Sequence, residues 1–439
     1  MKKIYKLKLT LLSLILILGG SCKLDVLNPN APTEADVLTT REGIIGLSVG
    51  LRQYYSTSGI AASYFYPAVT ARELKGTATF TNTLELEAGG TALPTANGNV
   101  LALWSNMQKL MSMSEDVINN AGNISTITGG TLSGILAHAK LYKAIALGTL
   151  AVSFEQSNIN TSKAGNAPFF SRQAVLTEAI RLLNEAIAQI NATPVSAEFN
   201  TNVSGTNFNL KNALYAFNAR YNLMAGNYAA AISNASAVDL TSKSVFTYST
   251  TTVNPIWNTA VTLQYYTPQA NLGLPAALFE TGDKREAFYI STTTTTVGTV
   301  TTTTRKLNAF ATNQIGEVPV YIPDEMKLIR AEAILRNNGT LADALALINE
   351  IRTQTSGDVF GIYPGLAAYS GTVSKDALLL EVYKQRCAEL YLSGQRLEDS
   401  RRFGRPAPPA NVTERNRNFY PYPDQERLTN PNTPADPAI

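Results

Sequence analysis

Few side chains in this 439-residue sequence could serve as catalytic groups. The single histidine, His138, lies in the helical stretch TLSGILAHAKLY, and no cysteine or carboxylate cluster stands at metal-ligand spacing around it. We therefore interpret His138 as a structural histidine rather than a catalytic base or a metal ligand. The sequence predicts no catalytic residue, no metal site and no cofactor.

A glycoside hydrolase would need only two carboxylates, about 5 to 10 Å apart, and the chain has 33 acidic residues. Glu85 and Glu87 in TLELEAGG form one such pair, but we expect an alternating strand or a loop with solvated acids there. Glu398 and Asp399 lie among three arginines, where ion pairing explains them more simply. A surface-anchored hydrolase remains an alternative interpretation.

Aromatic side chains point to a different chemistry. A sugar ring has an apolar face that stacks on an aromatic ring and a polar rim that needs hydrogen-bond partners, and the chain has 20 tyrosines and two tryptophans. We expect the segment SYFYP and most of the other candidate aromatics to lie outside helices, and for Trp104 core packing is the favoured alternative. The candidate ligand-binding residues are Arg72, Asn82, Trp104, Trp257, Tyr265 and Tyr266.

Cys22 carries a chemical role of another kind. Residues 1–21 combine four lysines, the apolar run LTLLSLILIL and small residues, which is typical of a signal peptide. A cysteine directly after such a peptide is where bacterial lipoproteins carry their lipid, so we predict lipidation of Cys22. Two or more acyl chains give lasting attachment to a membrane.

Cleavage would remove four lysines and no acidic residue, which changes the formal net charge from +3 to −1. A near-neutral body argues against binding to nucleic acid. The predicted organisation is a signal peptide (1–21), a lipidated extended leader (22–34) rich in Asn and Pro, and one domain (35–439).

Helical periodicity dominates this domain. Residues 137–154 with 174–191, 212–238, 326–352 and 376–402 each predict a pair of helices, and the second and third resemble tetratricopeptide units separated by long insertions. In the third, Gly339 suits the C′ position of the first helix, and Thr340 with Asp343 has the spacing of a capping box. STTTTTVGTVTTTTRK (291–306) predicts an exposed two-stranded ribbon, either a plain surface hairpin or a binding flap.

Several segments resemble the SusD/RagB family in the same order along the chain. These are CKLDVLNPNAPT, LWSNMQKLMSMSEDVINN, GDKREAF, MKLIRAEAILRNNG, QRCAELYLSGQRLEDSRRFG and NFYPYPDQERLTNPN.

The resemblance implies a mainly α-helical SusD-like fold, with four tetratricopeptide-like helical hairpins supporting loop-rich insertions and short β-hairpins. It also implies a lipid-anchored outer-membrane protein, facing the cell exterior, that captures an oligosaccharide and delivers it to a SusC-like TonB-dependent transporter. A peptide ligand, as in RagB-like members, is the alternative. The family supplies no catalytic residues.

Overall fold

The computed structural model describes residues 34–439, so the predicted signal peptide, Cys22 and all but the last residue of the leader lie outside the described residues. Helices dominate the described chain, as predicted. They are α1 (Glu34–Thr39), α2 (Arg41–Tyr54), α3 (Ile60–Thr70), α4 (Thr81–Ala88), α5 (Gly98–Asn120), α6 (Gly129–Ser153), α7 (Arg172–Ala192), α8 (Leu210–Met224), α9 (Tyr228–Ser236), α10 (Lys284–Tyr289), α11 (Glu325–Arg336), α12 (Leu341–Arg352), α13 (Lys375–Glu389), α14 (Arg396–Arg402) and α15 (Asp424–Thr429).

Three of the predicted helix pairs form antiparallel hairpins: α6 with α7, α8 with α9, and α11 with α12. Side chains placed at the first turns satisfy amide groups that have no partner inside the helix. Ser171 caps α7, Asn209 caps α8 and Thr340 caps α12. The hairpins stack in chain order, because α7 packs on α8 and α9 packs on α11.

The turn between α11 and α12 differs from the prediction by one residue. Asn338, not Gly339, adopts the positive φ of 54° at the C′ position, and the Gly339 amide donates back to the Ile334 carbonyl at 2.8 Å. Asparagine tolerates this conformation better than most residues with a side chain, which explains why the glycine is not needed there.

The fourth predicted pair, within residues 376–402, packs differently from the others. Helix α13 lies against α11 and α12, whereas α14 lies against α3 and α6. An ion pair links α13 to α14, because Arg386 donates to both oxygens of Asp399, at 2.9 and 3.1 Å. The C-terminal helices therefore join the hairpins to the N-terminal part of the chain.

Strands are short and pair only two at a time. All four pairs are antiparallel, and the longest is the ribbon predicted from the threonine-rich segment. The pairs are β1 (Leu74–Gly76) with β5 (Tyr266–Pro268), β2 (Gln156–Ser157) with β3 (Phe170–Ser171), β4 (Val245–Phe246) with β8 (Val318–Pro319), and β6 (Ile290–Val297) with β7 (Val300–Leu307).

One large hydrophobic core connects most of these elements, from Ile44 in α2 to Tyr422 near the C-terminus. Helix α6 runs through it, and it is the one helix among residues 34–439 that is long and apolar enough to span a membrane. Most of its apolar window is buried inside the protein, which is the pattern of a central core helix. His138 lies in this helix with no exposed surface, as the structural interpretation predicts.

A buried ion-pair network, here called the arginine cluster (Glu332, Arg386, Asp399 and Arg402), joins α11, α13 and α14. Arg402 donates to both oxygens of Glu332, at 2.7 and 2.9 Å, and to Asp399 at 2.7 Å. Burial alone would raise the pKa of Glu332, but Arg402, Arg386 and a further arginine outweigh it and hold that pKa below its ordinary value. The cluster is therefore ionised and internally paired.

Replacing Glu332 by Gln should lower the free energy of unfolding by about 3–5 kcal/mol, because Arg402 loses the charged partner to which it makes two hydrogen bonds and is left sharing Asp399 with Arg386. Urea denaturation monitored by circular dichroism measures this difference. The matched control is Glu185→Gln, which breaks an exposed ion pair with Arg181 and should cost less than about 1 kcal/mol. If both variants lost the same free energy of unfolding, the arginine cluster would contribute no more to stability than an exposed ion pair does.

Candidate ligand-binding site

An apolar surface forms where the chain after β1 meets the chain before β5. We call it the aromatic platform and define it as Phe80, Leu84, Leu263 and Tyr265. Phe80, Leu84 and Leu263 are 55%, 52% and 44% exposed, and the rings of Phe80 and Tyr265 meet edge to face with centroids 5.4 Å apart. Phe80 and Tyr265 thus touch at the surface, and because exposed apolar patches mark binding surfaces, these residues form a candidate site.

Backbone pairing fixes the platform in place. β1 and β5 pair with Gly76 opposite Tyr266, and the amides of Thr77 and Ala78 both donate to the Tyr265 carbonyl, at 2.9 and 3.3 Å. The Thr77 hydroxyl donates to the carbonyl of Gln264 at 2.6 Å. Two segments almost 190 residues apart in sequence are thus held side by side, so the two rings meet without help from a ligand.

The threonine ribbon, β6 with β7, lies next to the platform. β7 packs against β5 and against the helical turn Asn258–Thr262, and the Thr267 hydroxyl donates to the Arg305 carbonyl at 2.8 Å. Most of the ribbon's threonines are exposed. Hydroxyl groups both donate and accept hydrogen bonds, so the ribbon presents a row of exposed polar groups close to the apolar platform.

Arg72 and Asn82, the two polar candidates, lie close to the platform and have partners within the protein. Arg72 pairs with Glu87 at 3.3 Å and donates to the Val412 carbonyl, and it lines a cleft of about 430 Å³ at the other end of the β1–β5 pairing. The Asn82 amide donates to Asn99 at 2.7 Å. Both residues therefore shape the site before any ligand arrives.

Two of the aromatic candidates are buried. Trp104 is 2% exposed, stacks on Phe169 with centroids 5.7 Å apart, and donates its indole N–H to Glu426. Tyr266 is 5% exposed and stacks on Phe65. Neither ring offers a free face to a ligand.

Trp257 and Tyr265 are the two aromatic candidates with partly exposed rings. Trp257 ends the single helical turn Pro255–Trp257, which is capped by Asn254. The following turn leads directly to the platform, and the Tyr265 amide donates to the Thr259 carbonyl at 3.2 Å. Of the residues proposed from the sequence, Tyr265 therefore belongs to the platform and Trp257 to the adjoining turn.

Phe80, Leu84 and Leu263 were missed because the expected local structure was wrong in this region. Thr81–Ala88 is a helix, where an alternating strand or loop was expected, and residues 63–67 lie inside α3 rather than outside helices. In a helix Leu84 falls one turn after Phe80, since their backbones are linked by the Leu84 amide and Phe80 carbonyl. Apolar residues at this spacing, next to a Gly- and Thr-rich loop, were the signal available in the sequence.

Glu73 anchors the base of the platform. Its backbone carbonyl accepts from the Gln269 amide and from the Tyr391 hydroxyl, and its carboxylate accepts from the Leu392 amide at 3.0 Å. Burial raises the pKa of Glu73 to about 7, although Arg396 and the Leu392 amide oppose the rise. The carboxyl group therefore holds its proton more tightly in the folded chain than in the unfolded chain.

The chain is similar to known proteins in part of its sequence and in its fold. The sequence model described as the SusD family matches residues 324–436. No curated relative matches the chain in sequence. The matched residues include the arginine cluster and all of α11 to α15, and the predicted resemblance to the SusD/RagB family is confirmed.

Solved structures share the fold along most of the chain. A SusD-like carbohydrate binding protein from Bacteroides vulgatus is 15% identical, with a TM-score of 0.69 over 90% of this chain and 97% of that one. A SusD superfamily protein from Bacteroides thetaiotaomicron is also 15% identical, with a TM-score of 0.69 over 90% and 99%. A SusD-like carbohydrate binding protein from Bacteroides fragilis is 13% identical, with a TM-score of 0.68 over 90% and 99%. The predicted mainly helical fold is thereby confirmed.

Replacing Glu73 by Gln should remove a pH dependence of stability. In the wild type, the contribution of Glu73 falls as pH rises from about 4.5, its unfolded value, to about 7, because the folded state must give up a proton that it holds tightly. The difference between the variant and the wild type should shift by on the order of 2 kcal/mol in favour of Gln between pH 5 and pH 8.

Urea denaturation at a series of pH values measures this shift. The control is Glu350→Gln, which alters an exposed carboxyl group on α12 and should leave the pH profile unchanged. A constant difference between the Glu73→Gln variant and the wild type across the range would contradict the assignment.

Proposed function

We propose that the chain captures an oligosaccharide and delivers it to a SusC-like TonB-dependent transporter, because residues 324–436 match the SusD family model and the fold is shared with SusD superfamily proteins. Proteins of this family are non-enzymatic binding proteins of the cell surface. The hydrolase alternative is therefore set aside. The oligosaccharide ligand and the transporter partner are the two parts of the function that we propose.

The observation that carries the proposal is the aromatic platform beside the threonine ribbon. A pyranose ring presents axial C–H groups on one face, which pack on Phe80 and Tyr265, and hydroxyl groups at its edge, which match the threonine hydroxyls. Arg72 at the cleft and Trp257 at the turn before the platform extend the contact surface. Both similar Bacteroides proteins described as carbohydrate binding share this fold, which supports a sugar as the ligand class.

A peptide is the second candidate, and one observation favours it. The ribbon is two-stranded over its whole length, so the outer backbone edge of β6 has no strand paired to it, and an extended peptide can add a strand to such an edge. Leu84 and Leu263 would then receive apolar side chains of the peptide. Glycans and peptides are distinguished below by direct binding.

We further propose that Cys22 carries the lipid that anchors the protein in the outer membrane, facing the exterior. The segment between Cys22 and α1 would then act as a leash, so that the body can swing over the mouth of the transporter. A modest affinity suits this role, since the ligand has to be released into the transporter rather than retained.

Replacing both Phe80 and Tyr265 by Ala should weaken oligosaccharide binding about 30-fold or more, the fold-change that corresponds to 2 kcal/mol for a binding hot spot. Native gels containing candidate polysaccharides identify a ligand by retarded migration, and calorimetry then gives its affinity. The matched control is Leu428→Ala, which truncates an 86% exposed leucine on α15.

The outcomes separate the hypotheses. Weaker binding in the double variant with an unchanged Leu428→Ala protein supports the platform. Unchanged binding in the double variant would remove the platform from the proposal. Binding of peptides with no binding of any glycan would establish the second candidate instead.

The anchor gives a separate prediction, because thioether lipidation requires the sulfur of Cys22. Intact mass spectrometry of the protein extracted from its native membrane should show an acylated N-terminal cysteine and loss of residues 1–21. The Cys22→Ser variant should appear unacylated and leave the membrane fraction, whereas Cys387→Ser, which alters the buried cysteine, should stay in it. An unmodified Cys22 in the wild type would refute the anchor.

A further inference from the structure

Three carboxylates converge at one place outside the ligand-binding site. Asp324 precedes α11, Asp358 lies in the loop after α12, and Glu389 is the last residue of α13. One carboxylate oxygen from each lies within 4.8 Å of one from each of the others. We propose that these three residues bind a divalent cation, Ca²⁺ foremost.

The first argument is the presence of buried oxygens without a partner. Asp324 and Glu389 are 3% and 0% exposed. Oδ2 of Asp324 and Oε1 of Glu389 are buried and accept no hydrogen bond from any of residues 34–439. A buried carboxylate oxygen without a donor is costly, and a cation between the side chains would satisfy both oxygens at once.

The other oxygen of each carboxylate already has a partner. Oδ1 of Asp324 pairs with Lys327 at 2.9 Å, and Oε2 of Glu389 pairs with Arg285 at 3.1 Å. Oδ1 of Asp358 accepts from the amides of Phe360 and Ile362, at 2.8 and 2.9 Å. These contacts hold each carboxylate in position and leave its second oxygen available as a ligand.

The second argument is the balance of charge. Arg285 is shared with Asp283 at 2.6 Å, so four carboxylates in this part of the chain face two cationic side chains, Arg285 and Lys327. The excess of two negative charges equals the charge of one divalent ion.

The ligand set indicates a hard cation. All three residues offer oxygen, which suits Ca²⁺ and Mg²⁺ rather than zinc or copper. Ca²⁺ binds oxygen at about 2.3–2.6 Å and accepts irregular geometry with several ligands, and oxygens within 4.8 Å of one another can lie around it. Asp358 is partly exposed, so water can complete the coordination.

A cation here would connect three segments, two of which, α11 and α13, are also joined by the arginine cluster. It would tie the loop that carries Asp358 to the ends of α11 and α13, next to Tyr289, whose hydroxyl donates to the Glu389 carbonyl at 2.7 Å. This site could not be predicted from the sequence, because its residues are more than 30 positions apart and follow no metal-binding motif.

Calorimetry with chelator-treated full-length protein tests the proposal. CaCl₂ should bind with a stoichiometry of one and raise the midpoint of thermal unfolding, and MgCl₂ should bind more weakly. Asp324→Asn and Glu389→Gln, which retain the oxygens facing Lys327 and Arg285, should each weaken Ca²⁺ binding by at least about tenfold. The Glu350→Gln control should bind as the wild type does.

Stability without metal separates a cation site from a merely structural acid cluster. In EDTA, Asp324→Asn and Glu389→Gln should unfold at the same temperature as the wild type or higher, since each removes repulsion, and both should lose the response to Ca²⁺. A wild-type protein that binds neither CaCl₂ nor MgCl₂ would overturn the proposal. So would Ca²⁺ binding that is equally strong in both variants.

Discussion

The buried arginine cluster is the interaction on which the rest of the structure depends. Glu332, Arg386, Asp399 and Arg402 come from three helices, and each guanidinium group is oriented by two carboxylates or by both oxygens of one. Such a network is costly to dehydrate, so it contributes less net stability than its contacts suggest, but it permits only one arrangement of its partners. It fixes the C-terminal helices to the hairpins.

Polar groups of the C-terminal region also contact the segments that carry the candidate ligand-binding site. Arg396 donates to the carbonyls of Leu272 and Cys387, and the Leu392 amide donates to Glu73 at the base of the platform. Asn416 donates to the carbonyls of Leu86 and Glu87 at the end of α4. The platform is therefore formed by surface segments whose backbones are held from beneath by buried polar side chains.

This arrangement separates two requirements. The helical hairpins and the C-terminal region provide a rigid body, since their side chains are buried and paired. The platform, the ribbon and Arg72 at the cleft lie on segments that precede the first hairpin or connect the second hairpin to the third, where side chains can change without disturbing the core. A shared fold at 13–15% identity with SusD superfamily proteins is consistent with such a division.

The sequence by itself determined the helical class, three of the helix pairs, the threonine ribbon and the family, because these depend on local periodicity and on collinear motifs. Of the residues proposed from the sequence, Tyr265 lies in the candidate platform, Asn82 in the same helix as Leu84, and Arg72 at the nearby cleft. The sequence did not reveal Phe80 or Leu263 as platform residues, since their exposure follows from the β1–β5 pairing of distant segments. Nor did it reveal the convergence of Asp324, Asp358 and Glu389. Those features were decided by tertiary structure, because burial and proximity between residues far apart in sequence arise only when the elements pack together.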